Sequence, residues 1–234
     1  MSRAFVDLHC HTSASFDSLA APAAVVRAAD ACGLTHLAIT DHDAIDGAIE
    51  AARIAAREAP GLTVIVGQEV KTRDGDLICL FLERSIPGGL SAAEAIAEAR
   101  AQGGLVGIPH PFDRFRGSLL VSAAMAELAA DVDWIEVHNA RVMVGDGNAR
   151  AAAFAHEHGL PGVAVSDAHS VMEVGVAYTA LDGDPSTPAG LLAALPTAEL
   201  VTGRATFFVR ALTPVATLIQ RARGRGRKDV AGTR

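Results

Sequence analysis

Aromatic residues are scarce in this chain, with eight Phe, one Trp and one Tyr among 234 residues. A surface that stacks successive bases of a single strand needs several rings, so no such platform is expected. Cysteine is rarer still. Cys10, Cys32 and Cys79 are odd in number and widely spaced, which argues against a disulfide framework and for a reducing cytoplasm. Cys32 and Cys79 fall in apolar surroundings, where a reduced thiol behaves as a small hydrophobe. No apolar run approaches the length that crosses a bilayer. Met1-Ser2-Arg3 leads straight into an apolar strand, so neither a membrane partner nor a signal peptide is expected.

Half of the residues are hydrophobic and a fifth are charged, which suits one globular domain with a sizeable core. The formal net charge of -7 disfavours phosphate-rich partners over the surface as a whole. Its distribution is uneven. Arg221, Arg223, Arg225, Arg227, Lys228 and Arg234 stand against Asp229 in the last stretch. We therefore expect a domain over 1–218 and a basic, disordered tail over 219–234.

Strand and helix patterns alternate along the body. Ala4 to Leu8 reads as a strand, Pro22 to Cys32 as a helix stopped by Gly33, and Leu37 to Thr40 as a second strand. Ala44 to Ala59 follows as a long helix and Leu62 to Val66 as a third strand. Asp74-Gly75-Asp76 marks a hairpin turn. Ser91 and Glu94 form a capping box for a helix ending near Gln102. Further strands are expected at Leu105–Pro109, Trp134–His138 and Gly162–Val165, with helices over Val121–Ala130 and Gly147–His158. Val176–Leu181 and Leu200–Val209 read as extended, Pro188–Leu195 and Thr213–Arg223 as helices. Strand and helix in alternation predict a parallel sheet with crossover helices.

Polar clusters follow the strands. They are His9, His11 and Asp17; Asp41 and His42; Glu69; His110; Glu136 and His138; and Asp167 and His169. Only a closed barrel brings so many strand ends to one face. Imidazole and carboxylate suit manganese, zinc or iron. His36, inside an apolar run, is expected to be structural.

His9-Cys10-His11-Thr12, Thr40-Asp41-His42, Glu69, His110-Pro111 and Ser166-Asp167-Ala168-His169 together resemble the motifs of the PHP (polymerase and histidinol phosphatase) family. The resemblance runs in order from about residue 5 to residue 170. It implies an α/β fold, a distorted (β/α)7 barrel, with two or three divalent metals hydrolysing phosphoesters. It places one metal on His9, His11, Glu69 and Asp167, and a second on Asp17, His42 and His169. Glu69 would bridge to a third that also uses His110, with His138 as the nearest further ligand or as support for one. The family often has His where this chain has Asp17. Asp41 is expected to orient a ligand imidazole.

The resemblance also implies that a bridging water becomes the nucleophile, with Asp17, Glu69, His42 and His169 at the reacting centre. Asn139-Ala140-Arg141 resembles a stretch near the family's phosphate site. Arg141, Arg116, Arg114 and Asn139 are thus candidates to bind the substrate phosphate, for which a guanidinium fork is suited. The expected substrate is a small phosphomonoester such as a nucleotide. Histidinol phosphate, or a nucleic acid cut by a nuclease or polymerase-associated exonuclease, is the alternative. A non-catalytic metal-binding domain would need an incomplete ligand set. An amidohydrolase would need a metal-bridging lysine, for which Lys71 and Lys228 are badly placed.

Overall fold

A computed structural model describes residues 2–113, 128–142, 144–206 and 212–226. Nine strands form one sheet: β1 (Arg3–Asp7), β2 (His36–Ile39), β3 (Thr63–Lys71), β4 (Asp76–Leu80), β5 (Leu105–Ile108), β6 (Trp134–Asn139), β7 (Gly162–Val165), β8 (Tyr178–Asp182) and β9 (Glu199–Val201). Their order is β7-β6-β5-β4-β3-β2-β1-β8-β9. The helices are α1 (Pro22–Ala31), α2 (Asp46–Glu58), α3 (Ala92–Arg100), α4 (Gly147–His158), α5 (Pro188–Ala194) and α6 (Leu212–Ala222). The helix expected over Val121–Ala130 and the end of the Leu200–Val209 stretch lie largely outside the described residues.

The expected distorted barrel is present, and its distortion has two sources. Strands β1–β2, β2–β3, β5–β6 and β6–β7 pair in parallel, but β4 runs antiparallel to both β3 and β5. The Asp74-Gly75 turn causes this, because a two-strand hairpin returns the chain without a crossover helix. At the other edge, β8 runs antiparallel to β1. The gap between β7 and β8 is closed by side chains. Thr179 Oγ1 donates to Ala164 O and accepts from Ala164 N, both at 2.9 Å.

Alternation along the strands fills the barrel. Val6, Leu8, Ile65, Leu80, Leu105, Trp134 and Val163 belong to one buried cluster. The Trp134 indole lies so close to β5 that a Cβ on Gly107 would come within 2.1 Å of it. Outside the sheet, Val25, Val26 and Ala29 of α1 and Ala48, Ala51 and Ile54 of α2 pack on Leu37 and Ile39. Small side chains let these helices approach closely. Pro22 opens α1 and the Ser91–Glu94 capping box opens α3, while Gly159 ends α4 at φ 65°. Each follows from the helix-terminal chemistry of its residue type.

Two expectations need correction. The boundary at 219 falls inside α6, so the basic segment starts as a packed helix; Gln220 is fully buried. Cys32 is exposed, while Cys10 and Cys79 are buried, and all three are free thiols. Among the described residues, no helix is long and apolar enough to cross a membrane.

Candidate metal centre

The strand ends deliver their polar side chains to one buried centre. His9 and His11 follow β1 and face the same way, with Nε2 atoms 2.9 Å apart. Glu69, within β3, reaches both: its Oε2 lies 3.3 Å from His9 Nε2 and 3.4 Å from His11 Nε2. Asp167 Oδ1, after β7, lies 3.6 and 3.5 Å from the same two nitrogens. Asp167 sits at φ 52° and His110 at φ 27°. Left-handed backbone at non-glycine residues is costly, and two of the four such positions among the described residues, with Asp43 and Phe81 the others, are candidate ligands.

A second group lies beside the first. Asp17 Oδ2 is 3.1 Å from His169 Nε2 and 3.3 Å from His42 Nε2. His11, Asp17, His42 and His169 offer ligand atoms within 4.8 Å of one another. A third group contains Glu69, Asp76 and His110, where Glu69 Oε1 is 3.2 Å from His110 Nε2. Glu69 is the hub, since its Oε2 also lies 3.3 Å from His42 Nδ1.

The electrostatics are those of a cation site. Burial disfavours the charged form of His9, but Asp167, Glu136 and Glu69 outweigh it and hold its pKa well above the usual value. Burial likewise opposes charge on His42, yet Glu69 and Asp17 raise it to about 10. Burial, with neighbouring His169, pushes His11 down to about 3. For Asp17 and Glu69, burial is overcome by the adjacent imidazoles, and both carboxyls fall well below their ordinary range. Protons on His9 and His42 thus neutralise charge that a cation would neutralise better. Asp17 Oδ1 is buried and finds no hydrogen-bond donor among the described residues. The oxygen–nitrogen donor set and this orphaned oxygen fit divalent metals.

Supporting contacts fix the imidazoles. Glu136 Oε1 lies 2.7 Å from His9 Nδ1, which turns Nε2 toward the other ligands. His11 Nδ1 lies 3.1 Å from Ser15 Oγ, which also accepts the His42 N–H at 2.9 Å. His169 N donates to Glu173 Oε2 at 3.0 Å. Asp7 accepts from Ser166 N and Oγ, tying the β1 end to the β7 end. Burial raises the Asp7 carboxyl to about 7 against those hydrogen bonds.

Sequence comparison agrees with this geometry. The PHP domain profile matches residues 7–121, and a PHP-associated profile matches residues 145–199. The chain belongs to the PHP domain family. An uncharacterized protein of Methanocaldococcus jannaschii is 35% identical over 144 residues, 57% of this chain and 81% of that one. A 5'-3' exoribonuclease of Haemophilus influenzae is 33% identical over 153 residues, 60% of this chain but 51% of that one. This chain thus spans about half of the exoribonuclease. The fold resembles that of a two-domain Bacteroides vulgatus protein containing a predicted PHP-like metal-dependent phosphoesterase. There the TM-score is 0.73 at 19% identity, covering 86% of this chain and 65% of that one.

Within this PHP chain, several candidate residues stand elsewhere than the sequence suggests. His138 does not join the centre. A register shift between Glu136 and His138 breaks the two-residue alternation of β6, so Glu136 faces inward. His138 Nε2 lies 2.8 Å from Gly203 O. Asn139 is also turned inward. Its amide donates to Glu136 and Asp167, both at 2.9 Å, and its oxygen accepts Arg141 N. That leaves no free donor for substrate. Arg141 is buried rather than open to the catalytic face, with Nη2 donating to Thr213 Oγ1 at 2.7 Å and Nη1 3.6 Å from Glu173 Oε1. Arg114 and Arg116 lie outside the described residues. Asp41 holds Thr12 through its N–H and hydroxyl, both at 2.6 Å, while Ser15 meets the His11 imidazole. A Cβ on Gly47 would come within 2.3 Å of that Asp41–Thr12 pair.

Some site residues were not singled out from sequence. Asp76 starts β4, is ion-paired with Lys71 at 3.1 Å, and reaches the third group. Gln220 Nε2 lies 2.9, 3.0 and 2.8 Å from the carbonyls of Ser13, Ser15 and Ser18. One amide thus pins the loop that carries Asp17. Nothing in the sequence marks it, because a glutamine on an amphipathic helix reads as solvent-facing.

Proposed function

We propose that this PHP chain hydrolyses a small phosphate ester with divalent cations, foremost a phosphomonoester such as a nucleotide. The observation that carries the reading is Glu69, whose two oxygens reach all three ligand groups at once. His9, His11, Glu69 and Asp167 would hold one cation, and Asp17, His42 and His169 a second. Glu69, His110 and Asp76 offer a third place. Manganese, zinc and iron all suit these donors. When bound, such cations furnish hydroxide near neutral pH and neutralise charge on the phosphate oxygens.

The chain's own residues do the positioning. Glu136 and Ser15 fix the Nδ1 sides of His9 and His11, directing both Nε2 lone pairs to the centre. Asp17 spans the gap between His42 and His169. His42, whose side chain is 13% exposed, lines a cavity of about 500 Å3 with Phe16, Asp43 and Arg225. We place His42 and Asp17 nearest the leaving oxygen for that reason. Arg141, buried against Thr213 and Glu173, would fix the loop after β6 and leave the phosphate to the bound cations.

A specific observation favours one other reading, an exonuclease. Arg225 donates to Ser13 O at 3.3 Å and lines the cavity that holds His42, so the basic C-terminal segment starts at the mouth of the site. Phosphate release from a panel of mononucleotides, histidinol phosphate, dinucleotides and single-stranded RNA under added manganese separates the readings. Turnover of monoesters alone supports the phosphatase, and turnover of RNA alone assigns the exonuclease. Turnover of no ester refutes both.

A further inference from the structure

Of the 20 cationic residues in the chain, only Lys71 and Lys228 are lysines. Lys71 ends β3 two residues after Glu69, and the pairing of β3 with β4 is regular from Gly67 to Lys71. Residues two apart on a strand share a face. Ile65, on that face, packs in the barrel interior, so Lys71 stands on the inner wall one step above Glu69. Its partner directly across the hairpin is Asp76. The backbone of Lys71 is fixed on both sides, since its N–H meets Asp43 Oδ1 at 3.4 Å and its carbonyl accepts Gly89 N at 2.8 Å.

Lys71 Nζ lies 3.1 Å from Asp76 Oδ1, with the two side chains 22% and 6% exposed. The contact is ionic only. Asp76 Oδ1 is buried without a hydrogen-bond partner among the described residues, which leaves the three N–H donors of the ammonium open to another acceptor. A partly exposed ion pair adds little to stability, so closing the hairpin does not account for a charge at this position. Asp76 belongs with Glu69 and His110 to the third ligand group. In the sheet, His42 follows β2 on one side of Glu69, while Asp76 and His110 come from β4 and the end of β5 on the other. Lys71 turns to that second side to reach Asp76.

We propose that Lys71 is a substrate-binding residue whose ammonium takes a terminal oxygen of the phosphate at the metal centre. The proposal rests on the phosphoesterase reading. With the ester oxygen toward His42, the phosphate turns its terminal oxygens toward β4, where Lys71 waits. A phosphomonoester carries about two charges near neutral pH, and a diester carries one. A fixed cation therefore favours the monoester. Lysine suits the place because its ammonium is a compact charge on a flexible stem, free to leave Asp76 and turn. Arg141 does not compete for this role, being held by Thr213 and Glu173.

The test uses the full chain, loaded with manganese and freed of excess metal. Inorganic phosphate is titrated by calorimetry into wild type, Lys71→Gln and Lys71→Arg, with metal content counted by mass spectrometry. Turnover of phenyl phosphate and of diphenyl phosphate is measured in parallel. Lys71→Gln keeps a donor for Asp76 and loses the charge. It should weaken phosphate binding, and raise KM for phenyl phosphate, by about tenfold or more with metal content unchanged. KM for the diester should change far less, and Lys71→Arg should recover most of the phosphate binding. Labelling of wild type with acetic anhydride needs no substitution, and phosphate should slow acetylation of Lys71 but not of Lys228. Unchanged phosphate affinity in Lys71→Gln, or labelling of Lys71 that phosphate does not slow, would overturn the proposal and leave the phosphoesterase standing. Equal loss of phosphate affinity and of metal in both variants would also overturn it, and assign the ion pair to support of the third ligand group. Phosphate affinity lost in Lys71→Gln, with no ester hydrolysed by wild type, would keep the anion site and overturn the phosphoesterase reading.

Discussion

Glu136 and Ser15 each hold one imidazole by its Nδ1 edge, so the ligand face of His9 and His11 is set before any cation arrives. The protonation of the cluster then controls what binds. His42 is raised to about 10 by Glu69 and Asp17 after burial has opposed the charge. Its contribution to metal-free stability is therefore complete below the unfolded value of 6.5 and lost as pH rises through about 10. A cation must displace that proton, so metal affinity moves the other way and strengthens with pH. The gap in Tm between metal-loaded and chelator-treated protein should widen from about pH 6 to about pH 9. A constant gap would show that His42 is not a ligand.

At the scale of elements, α6 matters more than its position near the end of the chain suggests. Gln220→Leu removes the donor shared by the Ser13, Ser15 and Ser18 carbonyls and should cost about 1–3 kcal/mol. It should also weaken metal binding at the Asp17 group while sparing the group of Glu69 and His110, which can be read from stepwise metal titration. Equal loss at both groups would make Gln220 a general structural residue. Inside the barrel, Gly107→Ala drives a methyl into the Trp134 indole and should lower stability by roughly 1–3 kcal/mol in denaturant melts.

Elements also show what could be read from the sequence. The strand ends at His9, His42, Glu69, His110 and Asp167 were legible because each ends a short apolar run, and the capping box at Ser91 because its chemistry is local. The inward turn of Glu136 was not, since the bulge after it depends on pairing with β7 and nothing in Val137 signals it. Asp76 was read as a turn residue because its approach to Glu69 depends on the hairpin folding back over the site. Gln220 acts on residues 202 to 207 positions away, and Glu173 on one 4 positions away. Only the folded chain shows the longer of those relations.

For the molecule as a whole, the barrel explains why candidate ligands from β1, β3 and β7 share one buried centre, and why cavities of different character flank it. The cavity at His42 is lined by charged side chains and the one at His169 by apolar ones. Closure by Thr179 across β7 and β8 holds the Asp167 strand end against the His9 strand end. The central claim is that Glu69 joins three cation sites into one catalytic centre. Metal content of the purified, manganese-equilibrated protein, measured by mass spectrometry for wild type and Glu69→Gln, tests it most directly. The account predicts about two to three ions per wild-type chain and a loss of more than one in the variant. Fewer than two ions in wild type, or an unchanged count in Glu69→Gln, would contradict it.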